Sequence, residues 1–210
     1  MPNTRRTKEQ SKLSLDGNVP DRSNAVLLLV DVINDLDFPN NEALIRNSVR
    51  LGKTIARLKA RCKKAGIPTI YVNDNFGKWR SEFSAVLRHS LRSSSPGRPI
   101  VELLVPETED YIVLKPKHSA FYATPLETIL SYIGAKNMIV AGITTNACVM
   151  LMPGGLYVRE YRIFVPRDCV AALNHRDHRT SLKIMETSYG ADTSLSSRLA
   201  LARLSQRKSG

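Results

Sequence analysis

An unbroken apolar run, AVLLLV over residues 25–30, ends in Asp31 and constrains this chain more than any other segment. Six consecutive apolar residues leave no polar face to turn to water, so the run predicts a strand buried on both sides. Strands of that kind belong to parallel sheets whose two faces are covered by helices. The rest of the chain alternates helical and strand patterns in the same way. A helix is predicted from about Glu42, because Leu44, Leu51, Ile55, Leu58 and Cys62 fall three, four or seven residues apart and make one apolar stripe. Gly66 is its expected C′ stop, with Pro68 just beyond. IPTIYVN (67–73) reads as the second strand and YIVLK (111–115) as the third. Between them, residues 73–104 read as a loop with short helices.

Thr124, Pro125 and Glu127 form a capping box with proline at the first helical position, so a helix is expected to start there and run to about Ile133, stopped by Gly134. NMIVAG (137–142) and RIFVP (162–166) are the fourth and fifth strands, a helix covers roughly His175 to Ser188, and ADTSLS (191–196) is a candidate sixth strand. The fold class is therefore α/β: a three-layer α/β/α, Rossmann-like arrangement with a mainly parallel sheet of five to six strands. At 210 residues and 42% hydrophobic, with no internal repeat, the chain suits one domain. Residues 24–197 are assigned to it, between a flexible basic N-terminal arm (1–23) and a basic C-terminal tail (198–210).

Charge and cysteine content narrow the function classes. The net charge is +12, but Lys and Arg are scattered over helix faces and both ends, and aromatic residues make up only 6%. That leaves little for base stacking, and no DNA- or RNA-binding signature is visible, which argues against nucleic acid as the partner. The charge is compatible with an anionic substrate. No apolar run approaches the roughly 20 residues of a membrane span. Basic residues near the N-terminus are not followed by an apolar stretch, so no secretory signal is read there. Three widely spaced Cys argue against a disulfide framework and for a reducing compartment. Cytoplasmic localisation is the expectation.

In sheets of this type ligands bind beyond the carboxyl ends of the strands. Asp31 ends the first strand, Lys115 ends the third, and Cys148 follows the fourth at the start of an apolar helix-like segment. Singly, each has a plain structural reading: a turn or cap residue, an edge charge, a small core residue. Together they supply a base, a cation and a nucleophile. A thiol at a helix N-terminus is expected to favour the thiolate, whereas an unperturbed thiol is only roughly 3% ionised at pH 7.

Three segments carry a specific resemblance. LLLVDVINDLDFPN, KPKHSAF and AGITTNACV, in this order within residues 25–195, resemble the signature segments of the isochorismatase-like cysteine hydrolases. That superfamily includes nicotinamidases, N-carbamoylsarcosine amidohydrolases and isochorismatases. The resemblance implies Asp31, Lys115 and Cys148 as catalytic residues and a non-proline cis peptide between Ile143 and Thr144. It also implies an oxyanion hole from the N–H groups of Thr144 and Cys148. The implied reaction is hydrolysis of an amide or carbamoyl carbon–nitrogen bond of a small molecule through a Cys148 thioester. An isochorismatase-type vinyl-ether hydrolase and a catalytically degenerate interaction protein on the same fold are the alternatives. Nicotinamidases carry an Asp-x-His metal pattern, and no His follows Asp31 before His89. No metal and no cofactor are expected. Relatives of this kind imply a homodimer or homotetramer.

Further candidates are less specific. Phe38, Asn73, Asp74, Trp79 and Phe121 are candidate pocket residues, with core packing or a turn as the plain reading. His175 and His178 are read as a solvated helix face, and Asp168 as a turn residue or the cap of the last helix. After Cys148, Pro153 and the Gly154–Gly155 pair are expected to break or kink the helix within two turns.

Overall fold

The computed structural model describes residues 21–77 and 82–206. Most of the expected arm, the last four residues of the tail, and Trp79 lie outside the described residues. Five strands form one sheet in the order β3-β2-β1-β4-β5, where β1 is Ala25–Val30, β2 Thr69–Asp74, β3 Tyr111–Lys115, β4 Asn137–Ile143 and β5 Arg162–Phe164. A sixth, β6 (Val170–Ala171), pairs with the end of β4, and every pairing is parallel.

The alternation of β1 shows why its run carries no polar residue. Ala25, Leu27 and Leu29 pack into one core with Leu44, Leu51, Ile55 and Leu58 of helix α1 (Glu42–Lys64). Val26, Leu28 and Val30 enter a second core on the other face. That second core is closed by α4 (Leu126–Ile133), α5 (Cys148–Tyr157) and α6 (His175–Tyr189). The first face also holds the short helices α2 (Phe83–Ser90) and α3 (Arg98–Leu103), and α7 (Leu201–Ser205) near the C-terminus. Three layers result. No helix is long and apolar enough to cross a membrane among the described residues.

Helix ends follow local chemistry. Gly66 takes φ 67° just past α1, and the Ile67 N–H donates to the Cys62 carbonyl at 2.9 Å, a Schellman closure. Thr124 Oγ1 accepts from the Leu126 N–H at 3.2 Å, so it caps α4. The reciprocal half of the expected capping box is not made, because Glu127 pairs instead with Arg159 at 3.0 Å. Asn174 caps α6 by accepting from the Asp177 N–H at 2.9 Å. Asp168 is therefore not the cap of α6. It accepts from the N–H and the hydroxyl of Ser196, each at 2.7 Å, and holds the 3-10 turn Ser196–Arg198.

Two expectations are corrected. ADTSLS is not the sixth strand: only Asp192 bridges to Phe164, and the sixth strand is the two-residue β6. Helix α5 is not broken by Pro153 and the glycines but continues from Cys148 to Tyr157. Proline costs it one hydrogen bond, and buried contacts of Val149, Met152 and Leu156 on the second core hold the turn together. Gly155 serves packing. A Cβ on Gly155 would lie 2.7 Å from the Phe121 ring, so glycine there lets the ring close onto the helix, whereas a Cβ on Gly154 would make only ordinary contact with the Tyr189 hydroxyl at 3.5 Å. Residues on either side of 24–197 also pack against the domain. The Tyr111 hydroxyl donates to Asp21 at 2.6 Å, Asn137 Nδ2 donates to the Leu204 carbonyl at 3.0 Å, and Leu201 is buried.

Gly142 fixes the relation between β4 and β1. Its φ is 134°, and a Cβ there would lie 2.0 Å from the Val30 carbonyl oxygen, next to Asp31. Gly142→Ala combines overpacking with a backbone conformation that side chains resist, and is expected to cost roughly 3 kcal/mol or more. Urea unfolding reads this directly. A loss below about 1 kcal/mol would mean that the strand end relaxes freely.

Candidate active site

Strand register brings the candidate residues to one level. Asp74 pairs with Lys115 at the ends of β2 and β3, and Val30 pairs with both Val72 and Gly142. Each strand therefore stops within a residue or two of its neighbour, and the next side chains meet. Asp31 stands at φ 50°, a left-handed conformation that Asp tolerates better than most residues, with its N–H donating to the Val72 carbonyl at 3.0 Å.

Lys115 is fully buried. Its Nζ lies 2.9 Å from Asp31 Oδ2, 3.2 Å from Asp74 Oδ2 and 3.6 Å from Cys148 Sγ. A buried ammonium is tolerable only with such partners. Burial opposes the charge, but Asp31 first, then Cys148 and Asp74, outweigh it and hold the pKa above the usual lysine value. Asp31 is 4% exposed. Its Oδ1 accepts from the Asp74 N–H at 2.6 Å, while Oδ2 faces the ammonium without a well-directed hydrogen bond. Burial pushes the Asp31 pKa up, and the neighbouring ammonium and thiol only partly offset it.

Cys148 opens α5 and is half-buried. Its thiol is pushed up to about 12, first by burial and then by the Asp31 charge, with Lys115 opposing. This corrects the expectation of a stored thiolate. The helix N-terminus is real, but burial and two carboxylates outweigh it, so the resting group is the thiol. Cys62 and Cys169 are free, fully buried and also pushed up to about 12 by burial.

The loop from β4 to α5 is firmly held. The peptide between Ile143 and Thr144 is cis. Gly142 N–H donates to the Cys169 carbonyl at 2.9 Å and Thr145 N–H to the Ala171 carbonyl at 2.8 Å, so β6 and the residue before it anchor both ends. The Thr144 carbonyl accepts from Ala147 and Val149 at 3.0 and 3.2 Å. His178 belongs to this support: its Nδ1 lies 3.0 Å from Thr145 Oγ1. The reading of His178 as part of a solvated face is thus corrected, and burial lowers its pKa. His175 is exposed.

Other candidates separate cleanly. Phe38 lines a cavity of about 440 Å³ with Asn34, Asp35, Phe76, Val86 and His89, beginning a few residues beyond Asp31 and Asp74. Within it His89 Nε2 lies 2.8 Å from Asp35 Oδ2. Asn73 does not present itself to a ligand: it is 0% exposed, and its amide bonds both the N–H and the carbonyl of Ile33 at 3.2 and 3.0 Å. It is the tie between β2 and the loop after β1. Phe121 is a packing residue, lodged against Gly155 with the Arg159 guanidinium 4.2 Å from its ring centre. Sequence reasoning passes over His118, whose Nδ1 lies 3.5 Å from Cys148 Sγ. Its one signal is that of an ionisable residue three positions past a strand-ending lysine. No group of three or more metal-ligating side chains is found among the described residues.

The Isochorismatase domain family profile matches residues 25–197. The chain belongs to the isochorismatase family. Over 165 residues it is 33% identical to an uncharacterised isochorismatase family protein, YaaI, of Bacillus subtilis, covering 79% of this chain and 90% of that one. It is 29% identical to the ureidoacrylate amidohydrolase RutB of Methylobacterium radiotolerans over 157 residues, 65% of this chain and 61% of that relative. Among solved structures, the N-carbamoylsarcosine amidase of Thermoplasma acidophilum superposes with a TM-score of 0.66 at 24% identity, covering 84% of this chain and 99% of that one. The Staphylococcus aureus nicotinamidase superposes with a TM-score of 0.61 at 17% identity, covering 82% and 98%. This isochorismatase-family chain thus shares its three-layer fold with amidases and its domain with a hydrolase family.

Proposed function

We propose that this protein is a cysteine hydrolase that cleaves an amide or carbamoyl carbon–nitrogen bond of a small molecule. The observation that carries the reading is the buried Lys115 ammonium, set between the Asp31 carboxylate at 2.9 Å and the Cys148 thiol at 3.6 Å. Asp31 takes the thiol proton as Sγ attacks the carbonyl carbon. Lys115 stabilises the ion set, and the N–H groups of Thr144 and Cys148 hold the oxyanion. Asp31 then passes the proton to the leaving amine, and a thioester remains on Cys148 for water to hydrolyse. The amidase and amidohydrolase names among its relatives support this choice of bond.

A panel of small amides and N-carbamoyl compounds, with isochorismate alongside, tests the reading. Release of ammonia or an amine from at least one nitrogen compound is the expected result. Turnover of the vinyl ether with no nitrogen substrate accepted would assign the other chemistry.

A further inference from the structure

The cavity that Phe38 lines holds polar groups that the fold leaves unanswered. Its walls are the loops that leave β1 and β2 and one side of α2, so it lies at the same end of the sheet as Asp31, Lys115 and Cys148. Asn34 is 9% exposed: its Oδ1 accepts from the Leu36 N–H at 2.7 Å, and its Nδ2 has no partner among the described residues. Ser90, at the end of α2, is 1% exposed, and its hydroxyl likewise has none among the described residues. Buried donors of this kind are costly to leave unanswered. The carboxylates of the wall differ. Asp35 is engaged by His89, whose Nε2 lies 2.8 Å from its Oδ2. Asp37 is exposed and has no ion pair among the described residues, so it offers a free acceptor and a negative charge. Phe38 and Phe76 supply apolar surface between these groups.

We propose that this cavity binds a second, uncharged carboxamide or ureido group of the substrate, so that the protein acts on small diamides and ureides rather than on amido acids. The inference rests on the carbon–nitrogen hydrolysis reading above and names its substrate class. An acceptor oxygen suits Asn34 Nδ2 and the Ser90 hydroxyl, an N–H suits Asp37, and a short apolar spacer suits Phe38 and Phe76. A carboxamide or ureide offers the oxygen and the N–H together and carries no charge. A carboxylate would also satisfy the two donors, but it would meet the charges of Asp37 and Asp35, with the His89 imidazole already engaged. The anionic substrate that a net charge of +12 allows is therefore disfavoured at this wall. One nitrogen-bearing carbonyl meets Cys148 while the other is held by Asn34, Ser90 and Asp37.

The test is a series of linear diamides from malonamide to adipamide, each beside the monoacid in which a carboxylate replaces one carboxamide. At the best-fitting length, kcat/KM for the diamide is expected to exceed that for its monoacid by about 100-fold. Asp37→Asn should narrow that gap to about tenfold, because the acid no longer meets its charge. Ser90→Ala and Asn34→Asp should each reduce the preference for the diamide over the mono-amide of the same chain length by about tenfold, through KM. Asn34→Asp keeps the oxygen that accepts from the Leu36 N–H, so the loop is retained. Equal kcat/KM for diamide and monoacid at every length would overturn the proposal, as would preferences that none of the three variants moves by more than about twofold. Calorimetry with Cys148→Ala carries the same comparison without turnover. The diamide should bind about 100-fold tighter than its monoacid, and equal binding, or no binding of any diamide, would overturn the proposal. The underlying reading fails separately: Cys148→Ala hydrolysing the best diamide as fast as wild type would remove the thioester and leave the binding preference standing.

Discussion

Cys148→Ala is expected to lower turnover of a nitrogen substrate by about 10⁴-fold or more while leaving the urea-derived stability within about 1 kcal/mol of wild type. Removing the sulfur leaves the Asp31–Lys115 pair and its Asp74 neighbour intact, so the charged floor has no reason to rearrange. The side chain is only half-buried, and α5 is anchored by Val149, Met152 and Leu156 rather than by the thiol. Activity and stability should therefore separate, which a merely structural cysteine would not allow. The same variant discriminates between chemistries. Vinyl-ether cleavage by protonation needs a carboxylic acid and no thiol, so it would survive the substitution. Steady-state kinetics on a responsive amide or carbamoyl compound decides it, and an unchanged kcat/KM would sink the thioester mechanism.

Much of this can be read from residue patterns, and the exceptions share a physical cause. A run like AVLLLV has one way to bury six apolar side chains, and the stripe of α1 has one face to hide, so periodicity places both. The carboxylate and ammonium that end β1 and β3 are costly where they stand, and that cost is visible without coordinates. Two-residue β6 has no period to detect. Pro153, Gly154 and Gly155 violate helix propensity, yet what holds α5 is tertiary: the second core that buries Val149, Met152 and Leu156, and the Phe121 ring lodged against Gly155. Tertiary packing overrides propensity in that way routinely. Asn73 ends a strand as a pocket residue would, but its amide is consumed by Ile33, a contact 40 residues away. His118 lies on an exposed loop where pattern carries no information. The direction of the Cys148 shift is not legible in the chain because a helix start is local, whereas burial and the Asp31 and Asp74 charges that oppose the thiolate are not.

That shift has a sharp consequence for Asp31→Asn. With the thiol pushed up by burial and by the Asp31 charge, the thiolate has to arise by transfer to a base during attack. Transfer to Asp31 keeps the total charge of the floor constant, and the raised pKa of Asp31 makes it a stronger acceptor. Asparagine keeps an oxygen for the Asp74 N–H, and Asp74 still faces Lys115 at 3.2 Å, so the fold and the ammonium are retained. Hydrolysis should nevertheless fall about 10³-fold, because neither the thiol nor the amine has its proton partner. Alkylation should move the other way. The Asp31 charge is one of the causes that raise the thiol, whereas Lys115 lowers it. Removing the first and keeping the second brings the thiol pKa down, and iodoacetamide at about pH 8 should label Cys148 faster in the variant than in wild type. The pH profile carries the same sign. Wild-type kcat/KM should decline as pH falls through the Asp31 pKa, above the usual 3.8, since the protonated acid cannot accept. In the variant that acid limb should vanish from the residual activity. If labelling and hydrolysis slowed together, Asp31 would be holding the thiol in place rather than exchanging a proton with it.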